Sequence, residues 1–432
     1  MILPESGRII IVDDNKVEAE PLVSTLSNMG YSTNYFSGAI GDFPTNPIPR
    51  TRVIFLDLVL GGSSDPKTVV STTYSVIDRL VDPITNGPFL LIMWTTHPQL
   101  ASKVEENLKK YGFENISVVL KKRECKTVKG DFSLQKTKQK LKEKLEGNEQ
   151  FELFLLWENL IGSAASRTMS NFFTLEERDK DWNQKMRIIM LKMAKGILGD
   201  HIRPQNKNEI SRNVLHSLNS AFNDELRLQT DGTPHIEKIN ISFQGMNRKK
   251  QNPETDAKIN SKLILISETS AIGMPGNVYS NNFVPKIKVN ELLRKNAFVK
   301  SKQFLTEKNT NFKKNLKHIV LEVTPLCDYA QKKSLKHRLL PGILWPYDAI
   351  DELKKGGEFK YNVLPIIQWN QNLYYMVFDF RFFTSSSFNV LNNKKPIFAI
   401  QNELLSDIQS RLASHVSRLG VVFVDELSTK RK

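Results

Sequence analysis

Cysteine is scarce in this chain. The two residues present, Cys125 and Cys327, lie far apart and have no CxxC partner, so neither a disulfide framework nor a zinc knuckle is expected. No apolar run reaches the roughly 18 residues that a membrane span needs. The opening residues, MILPESGRIIIVDD, lack a basic n-region, an apolar h-region and a small-residue cleavage site. That excludes a secretory signal and leads to the expectation of a cytoplasmic protein. The seven histidines show no metal-ligand spacing, and none falls in an HExxH-like pattern. There is no fixed-period repeat, no sustained heptad, and no helix-turn-helix with a basic recognition helix.

What is present is ordinary globular composition over 432 residues, 40% hydrophobic and 25% charged, enough for two or three domains. The net charge of +15 is unevenly spread. Residues 1–120 hold 9 Lys+Arg against 13 Asp+Glu, and the remainder holds 52 against 33. An acidic front and a basic body imply different partners. The basic part is either a solvated lysine-rich surface or a face for an acidic partner, such as nucleic acid or an acidic protein domain.

The front alternates between β and α patterns. Residues 8–12, 31–36, 53–58, 89–94 and 116–120 form short apolar runs that read as strands. Helical spacing fills 16–29, 68–82 and 98–111 between them, whereas FPTNPIPR at 43–50 is too proline-rich for a good helix. Continuous apolar strands separated by helices imply βαβ crossovers and a parallel sheet covered on both faces. Residues 133–146 form a lysine-rich helix, and 151–162, 185–199 and 212–226 continue as helices. After 230 the pattern shifts to short β-like runs at 238–243, 262–267 and 318–323. A hairpin follows, 363–369 and 373–383 around Asn370-Gln371-Asn372, and an amphipathic helix at 402–419 precedes a basic tail at 429–432.

Chemistry gathers at the carboxyl ends of the predicted front strands, where open α/β sheets place their sites. Strand one ends in Asp13 and Asp14, strand three in Asp57, strand four in Thr95-Thr96 and strand five in Lys121. Three crowded carboxylates need a cation among them, and an all-oxygen donor set favours a hard ion such as Mg²⁺. A carboxylate so placed can attack a phosphoryl group and form an acyl phosphate. The ion and a lysine ammonium would offset charge on the transferring oxygens, and a neighbouring hydroxyl would sense the product.

The segments RIIIVDDN, VIFLDLVL, LIMWTTH and VVLKKRE together resemble the signature segments of response-regulator receiver domains, over residues 8 to about 124. The resemblance implies a flavodoxin-like fold with a five-stranded parallel sheet, and a histidine kinase as partner. It implies Asp57 as phosphoacceptor, and Asp13, Asp14, Asp57 and the main-chain carbonyl of Val59 as Mg²⁺ ligands. Thr95 matches the switch hydroxyl and Lys121 the family lysine. Several positions depart from the pattern. Lys122 stands where a proline usually follows the lysine, Val118 stands at the aromatic switch position, and Thr96 replaces a small residue. Readout through the helix at 133–146 is therefore expected instead of the usual Thr/Tyr coupling.

Three further segments, LEVTPLCDYAQKK, RLLPGIL and LSDIQSRLASHVSRLG, resemble response-receiver proteins of bacterial anti-phage two-component systems of the Detocs type. The expected organisation is a receiver at 1–130, a helical connector at 131–230 and a β-rich α+β domain at 231–432. The leading expectation is a phosphorelay protein. Two alternatives stay open. One is a receiver-controlled nucleic-acid-binding regulator, suggested by the basic body and by Trp369, Tyr374, Tyr375, Phe378, Phe380, Phe382 and Phe383 as stacking platforms. The other is an effector enzyme using Cys327-Asp328, with His318 or His337 as partner. For the aromatics and the cysteine alike, a place in the core is the simpler reading.

Overall fold

The strand β1 (Arg8–Val12) is buried along Ile9–Val12 because it is flanked on both edges and covered on both faces. It pairs in parallel with β2 (Thr33–Phe36) and β3 (Thr51–Leu56). Further out lie β4 (Phe89–Thr95) and β5 (Asn115–Lys121), giving the order β2-β1-β3-β4-β5 with all neighbours parallel. This is the flavodoxin-like doubly wound order. The computed structural model describes residues 8–128, 130, 132–145, 149–198, 207–233, 252–266, 273–282, 310–330, 336–353, 360–361 and 365–417.

Successive residues of each strand serve opposite faces, which is why the strands read as unbroken apolar runs. Ile10, Ile54, Leu56 and Leu91 pack under α2 (Pro66–Leu80) and α3 (Ala101–Lys110). Ile9, Ile11, Phe55, Ile92 and Trp94 pack under α1 (Lys16–Asn28) and α4 (Leu134–Leu145). Between β2 and β3 the proline-rich stretch forms only a short 3₁₀ turn, Ile40–Asp42, in place of a crossover helix.

The second face continues past residue 130. Leu141 of α4 and Phe151 and Leu155 of α5 (Glu149–Phe173) join the same hydrophobic cluster. Arg52 on β3 binds Glu158 of α5 through both guanidinium branches, at 2.6 and 2.8 Å. The chain divides into two units: Met1–Ile189 with Leu215–Gln244, and Met190–Val214 with Gly245–Lys432. The helical middle region consists of α5, α6 (Trp182–Leu198) and α7 (Lys207–Gly232).

The C-terminal region is built on a nine-stranded sheet. Its strands are β6 (Leu265–Ile266), β7 (Asn277–Ser280), β8 (Lys317–Glu322), β9 (His337–Pro346), β10 (Lys360–Tyr361), β11 (Ile367–Trp369), β12 (Asn372–Asp379), β13 (Thr384–Ser386) and β14 (Phe398–Ile400). Their order is β10-β12-β9-β8-β7-β14-β6, all antiparallel, with β11 added to β12 and β13 to β9. Short helices α8 (Pro253–Ile264), α9 (Thr310–Asn315) and α10 (Leu326–Ala330) interrupt the strands. The expected terminal helix is α11 (Asn402–Val416), whose Leu405, Ile408 and Leu412 enter the core.

One sequence expectation for this region changes, and one long strand carries no clear β pattern in the sequence. Of the run at 262–267, residues 262–264 are helix, because Asn252 caps α8 and Pro253 opens it, and only Leu265–Ile266 are strand. Strand β9 contains Pro341 and Gly342, which disguise it. Pro341 falls where the pairing on one edge passes from β12, ending at Gly342, to β13, beginning at Leu339. No ladder hydrogen bond is needed from it there. Gly342 is required because a Cβ would lie 2.5 Å from the Phe378 ring. The expected run at 238–243 and the tail at 429–432 lie outside the described residues.

Candidate functional site

The parallel register brings the acidic residues together. Val12 pairs with Leu56, and the Asp57 amide donates to the Val12 carbonyl at 2.9 Å, so Asp13 and Asp57 leave adjacent strand ends at the same level. This is the point where the strand order reverses, the usual binding crevice of such sheets. One carboxylate oxygen from each of Asp13, Asp14 and Asp57 lies within 4.8 Å of the others. Asp13 and Asp57 are buried, and Asp14 is exposed.

Loop bonds fix these side chains. Asp13 accepts from the Asn15 amide at 2.9 Å, and Asp57 accepts from the Val59 amide at 3.2 Å. Asp14 accepts from the Gly61 amide at 2.8 Å, tying the loop after β3 to the end of β1. Gly61 makes that loop turn with φ of 72°, a left-handed conformation that suits glycine.

The lysine of the site is Lys122. Its ammonium sits 2.6 Å from Asp57, 2.8 Å from Asp13 and 2.9 Å from Glu18 of α1, and its side chain is 2% exposed. The expectation for Lys121 is corrected: its side chain is 36% exposed and its ammonium lies 3.9 Å from Glu124. The reason is strand parity. Lys121 closes β5 opposite Thr95, with extended backbone (φ −76°, ψ 124°). Adjacent residues of extended chain point to opposite faces. Leu120 packs on the α1 side of the sheet, and Lys122 follows it there, over the strand ends. Counting from Lys122, the position after the lysine is Arg123, and the aromatic switch position moves to Val119.

Electrostatics follow from the burial. Desolvation raises the Asp13 carboxyl above its usual range, against the pull of Lys122. Burial alone would lower the Lys122 ammonium, but its bonds to Asp13, Asp57 and Glu18 hold it well above the ordinary lysine range. Burial also works to raise Glu18, yet Lys122 and Lys126 together bring it below the usual carboxylate range. Lys126 reaches Glu18 at 3.2 Å. Four carboxylates, of Asp13, Asp14, Asp57 and Glu18, thus meet two ammonium groups, leaving an excess of negative charge. An all-oxygen donor set with that excess fits a hard divalent cation.

Thr95 ends β4 next to this cluster, fully buried, and its hydroxyl accepts from the His97 amide at 3.0 Å. Two participants were not legible in the sequence, Glu18 and Lys126. The usable signal was an acid in the first turn of the helix after the acidic strand end.

The other sequence candidates find structural places. Tyr374, Phe378 and Phe380 are core residues of the C-terminal sheet, with Trp369 and Phe383 packed against them. Tyr375 and Phe382 are half-buried, Tyr375 stacked on Tyr347 at 6.1 Å and Phe382 beneath the Arg381 guanidinium. Asp328 pairs with Arg338 at 3.2 Å, and His337 faces the buried Glu322 at 3.0 Å. Cys327 lies in α10, and its side chain is outside the described residues.

Neither a family model nor a curated protein matches the chain. Among solved structures it is similar to a response regulator from Burkholderia pseudomallei with a phosphorylated aspartic acid, calcium ion and citrate. That match has 19% identity and a TM-score of 0.21, covering 39% of this chain and 88% of the other. It is also similar to full-length FixJ from B. japonicum, at 16% identity and a TM-score of 0.20, covering 52% and 96%. Likenesses this distant carry no weight for chemistry, which rests on the sheet order and the side-chain geometry.

Proposed function

We propose that the N-terminal α/β sheet is a receiver that takes a phosphoryl group onto Asp57 from a phosphohistidine of a partner kinase. The observation that carries this reading is the Lys122 ammonium shared by Asp57 and Asp13 at adjacent strand ends. An acidic trio alone is common on protein surfaces; a trio whose two buried members, Asp13 and Asp57, share one buried lysine is a site prepared for an anionic transition state.

In this reading a carboxylate oxygen of Asp57 attacks phosphorus. The bond between phosphorus and the imidazole nitrogen breaks, its electron pair stays on the imidazole, and an acyl phosphate forms on Asp57. A Mg²⁺ ion held by Asp13, Asp14, Asp57 and the Val59 carbonyl would neutralise the incoming phosphoryl oxygens. Lys122, already 2.6 Å from Asp57, follows the new charge onto the phosphoryl group. Thr95 accepts one hydrogen bond and keeps its own O–H to donate, so it would bind a phosphoryl oxygen after transfer. The setting we propose is a cytoplasmic phosphorelay of an anti-phage two-component system, with the receiver storing or passing phosphate.

The test is incubation with acetyl phosphate and Mg²⁺, read by intact mass. One added phosphoryl group on the native chain, absent from Asp57→Asn, is the expected result. No added mass, or the same addition in the variant, overturns the reading.

A further inference from the structure

The Lys122 ammonium has three carboxylate partners, and only two of them belong to the metal-ligand set. The third, Glu18, is bidentate in function: Oε2 holds Lys122 at 2.9 Å and Oε1 holds Lys126 at 3.2 Å. Lys126 is in turn the anchor of a local structure. Its backbone bridges Phe132, its ammonium lies 4.6 Å from the Phe132 ring centroid, and its carbonyl accepts from Lys136 of α4. Phe132 stacks on Trp94 at 5.7 Å, and Trp94 directly precedes Thr95. The chain of contacts therefore leaves the phosphoacceptor through Lys122, Glu18, Lys126 and Phe132, and ends at Trp94, on the strand that carries Thr95.

We propose that Glu18 is a positioning residue: it sets the Lys122 ammonium and ties that position to the segment bridged by Lys126 and Phe132. The proposal rests on the receiver reading. Phosphate on Asp57 draws Lys122 away from Glu18, because a phosphoryl group offers more charge than a carboxylate at the same distance. Lys122 opens the 3₁₀ turn Lys122–Cys125, and the Cys125 carbonyl accepts from the Ser133 amide at 2.9 Å. Movement of Lys122 thus pulls directly on the bridged segment and on the start of α4. With valine at both 118 and 119, no aromatic side chain stands at the usual switch position, and this route takes its place.

The test combines intact mass with amide hydrogen exchange over peptides covering 122–136, on the full chain with and without acetyl phosphate and Mg²⁺. In the native chain, phosphorylation should change exchange in these peptides several-fold. In Glu18→Gln, the exchange change per phosphorylated chain, normalised to the phosphoryl mass gained, should collapse, and Glu18→Asp should restore part of it. Lys126→Met should give the same collapse with Glu18 intact. A native chain that is phosphorylated without any exchange change overturns the proposal alone, as does an unaltered response in both Glu18→Gln and Lys126→Met. A native chain that gains no phosphoryl mass overturns the receiver reading, and the proposal with it.

Discussion

The ammonium of Lys122 lies 2.6 Å from the Asp57 carboxylate, while that of the neighbouring Lys121 lies 3.9 Å from Glu124. One position along the chain separates a buried cation at the centre of an acidic site from a partly exposed surface lysine. Lys122→Ala should therefore abolish phosphorylation of Asp57, and Lys121→Ala should leave it near the native level. Side-by-side phosphorylation assays by intact mass check this; the reverse pattern would refute the assignment.

The same substitution should also show in stability. Removing Lys122 leaves Asp13 and Asp57 buried without their cation, a loss on the order of 3 kcal/mol. Urea unfolding in the presence of a chelator should show that loss for Lys122→Ala. Adding Mg²⁺ should recover part of it, since the ion would replace the missing charge.

Mn²⁺ should bind the native chain and be displaced by Mg²⁺. Asp14→Asn should weaken binding, because Asp14 is the exposed member of the carboxylate trio. Titration followed by the electron spin resonance of free Mn²⁺ measures it, and unchanged affinity in Asp14→Asn would remove that residue from the ligand set.

Burial pushes the Cys125 thiol up to about 11 from the ordinary value. A raised pKa means that the folded state holds its proton longer than the unfolded state. The contribution is complete below the ordinary thiol pKa and is lost as pH rises from there through about 11. Unfolding free energy should fall by roughly 2 kcal/mol over that window, and Cys125→Ala should flatten this part of the profile.

Gly342→Ala should destabilise the C-terminal sheet by about 1–3 kcal/mol, because the new methyl would overlap Phe378. Denaturant midpoints with an unchanged slope would report it.

The sequence by itself determined the parallel sheet and the acidic trio. Apolar strands ending in Asp13-Asp14 and Asp57 leave little freedom: burial fixes the strands, and their ends fix the site. It also showed the aromatic hairpin, which closes through Asn370 and Gln371 with φ of 46° and 64°. Tertiary structure alone decided which of two adjacent lysines enters the site, because composition cannot reveal the residue at which strand parity hands over to a turn. It likewise decided that Glu18 and Lys126 belong to the site. They come from α1 and from the segment after β5, 108 residues apart, and only the packing of α1 and of the turn after β5 against α4 makes them neighbours.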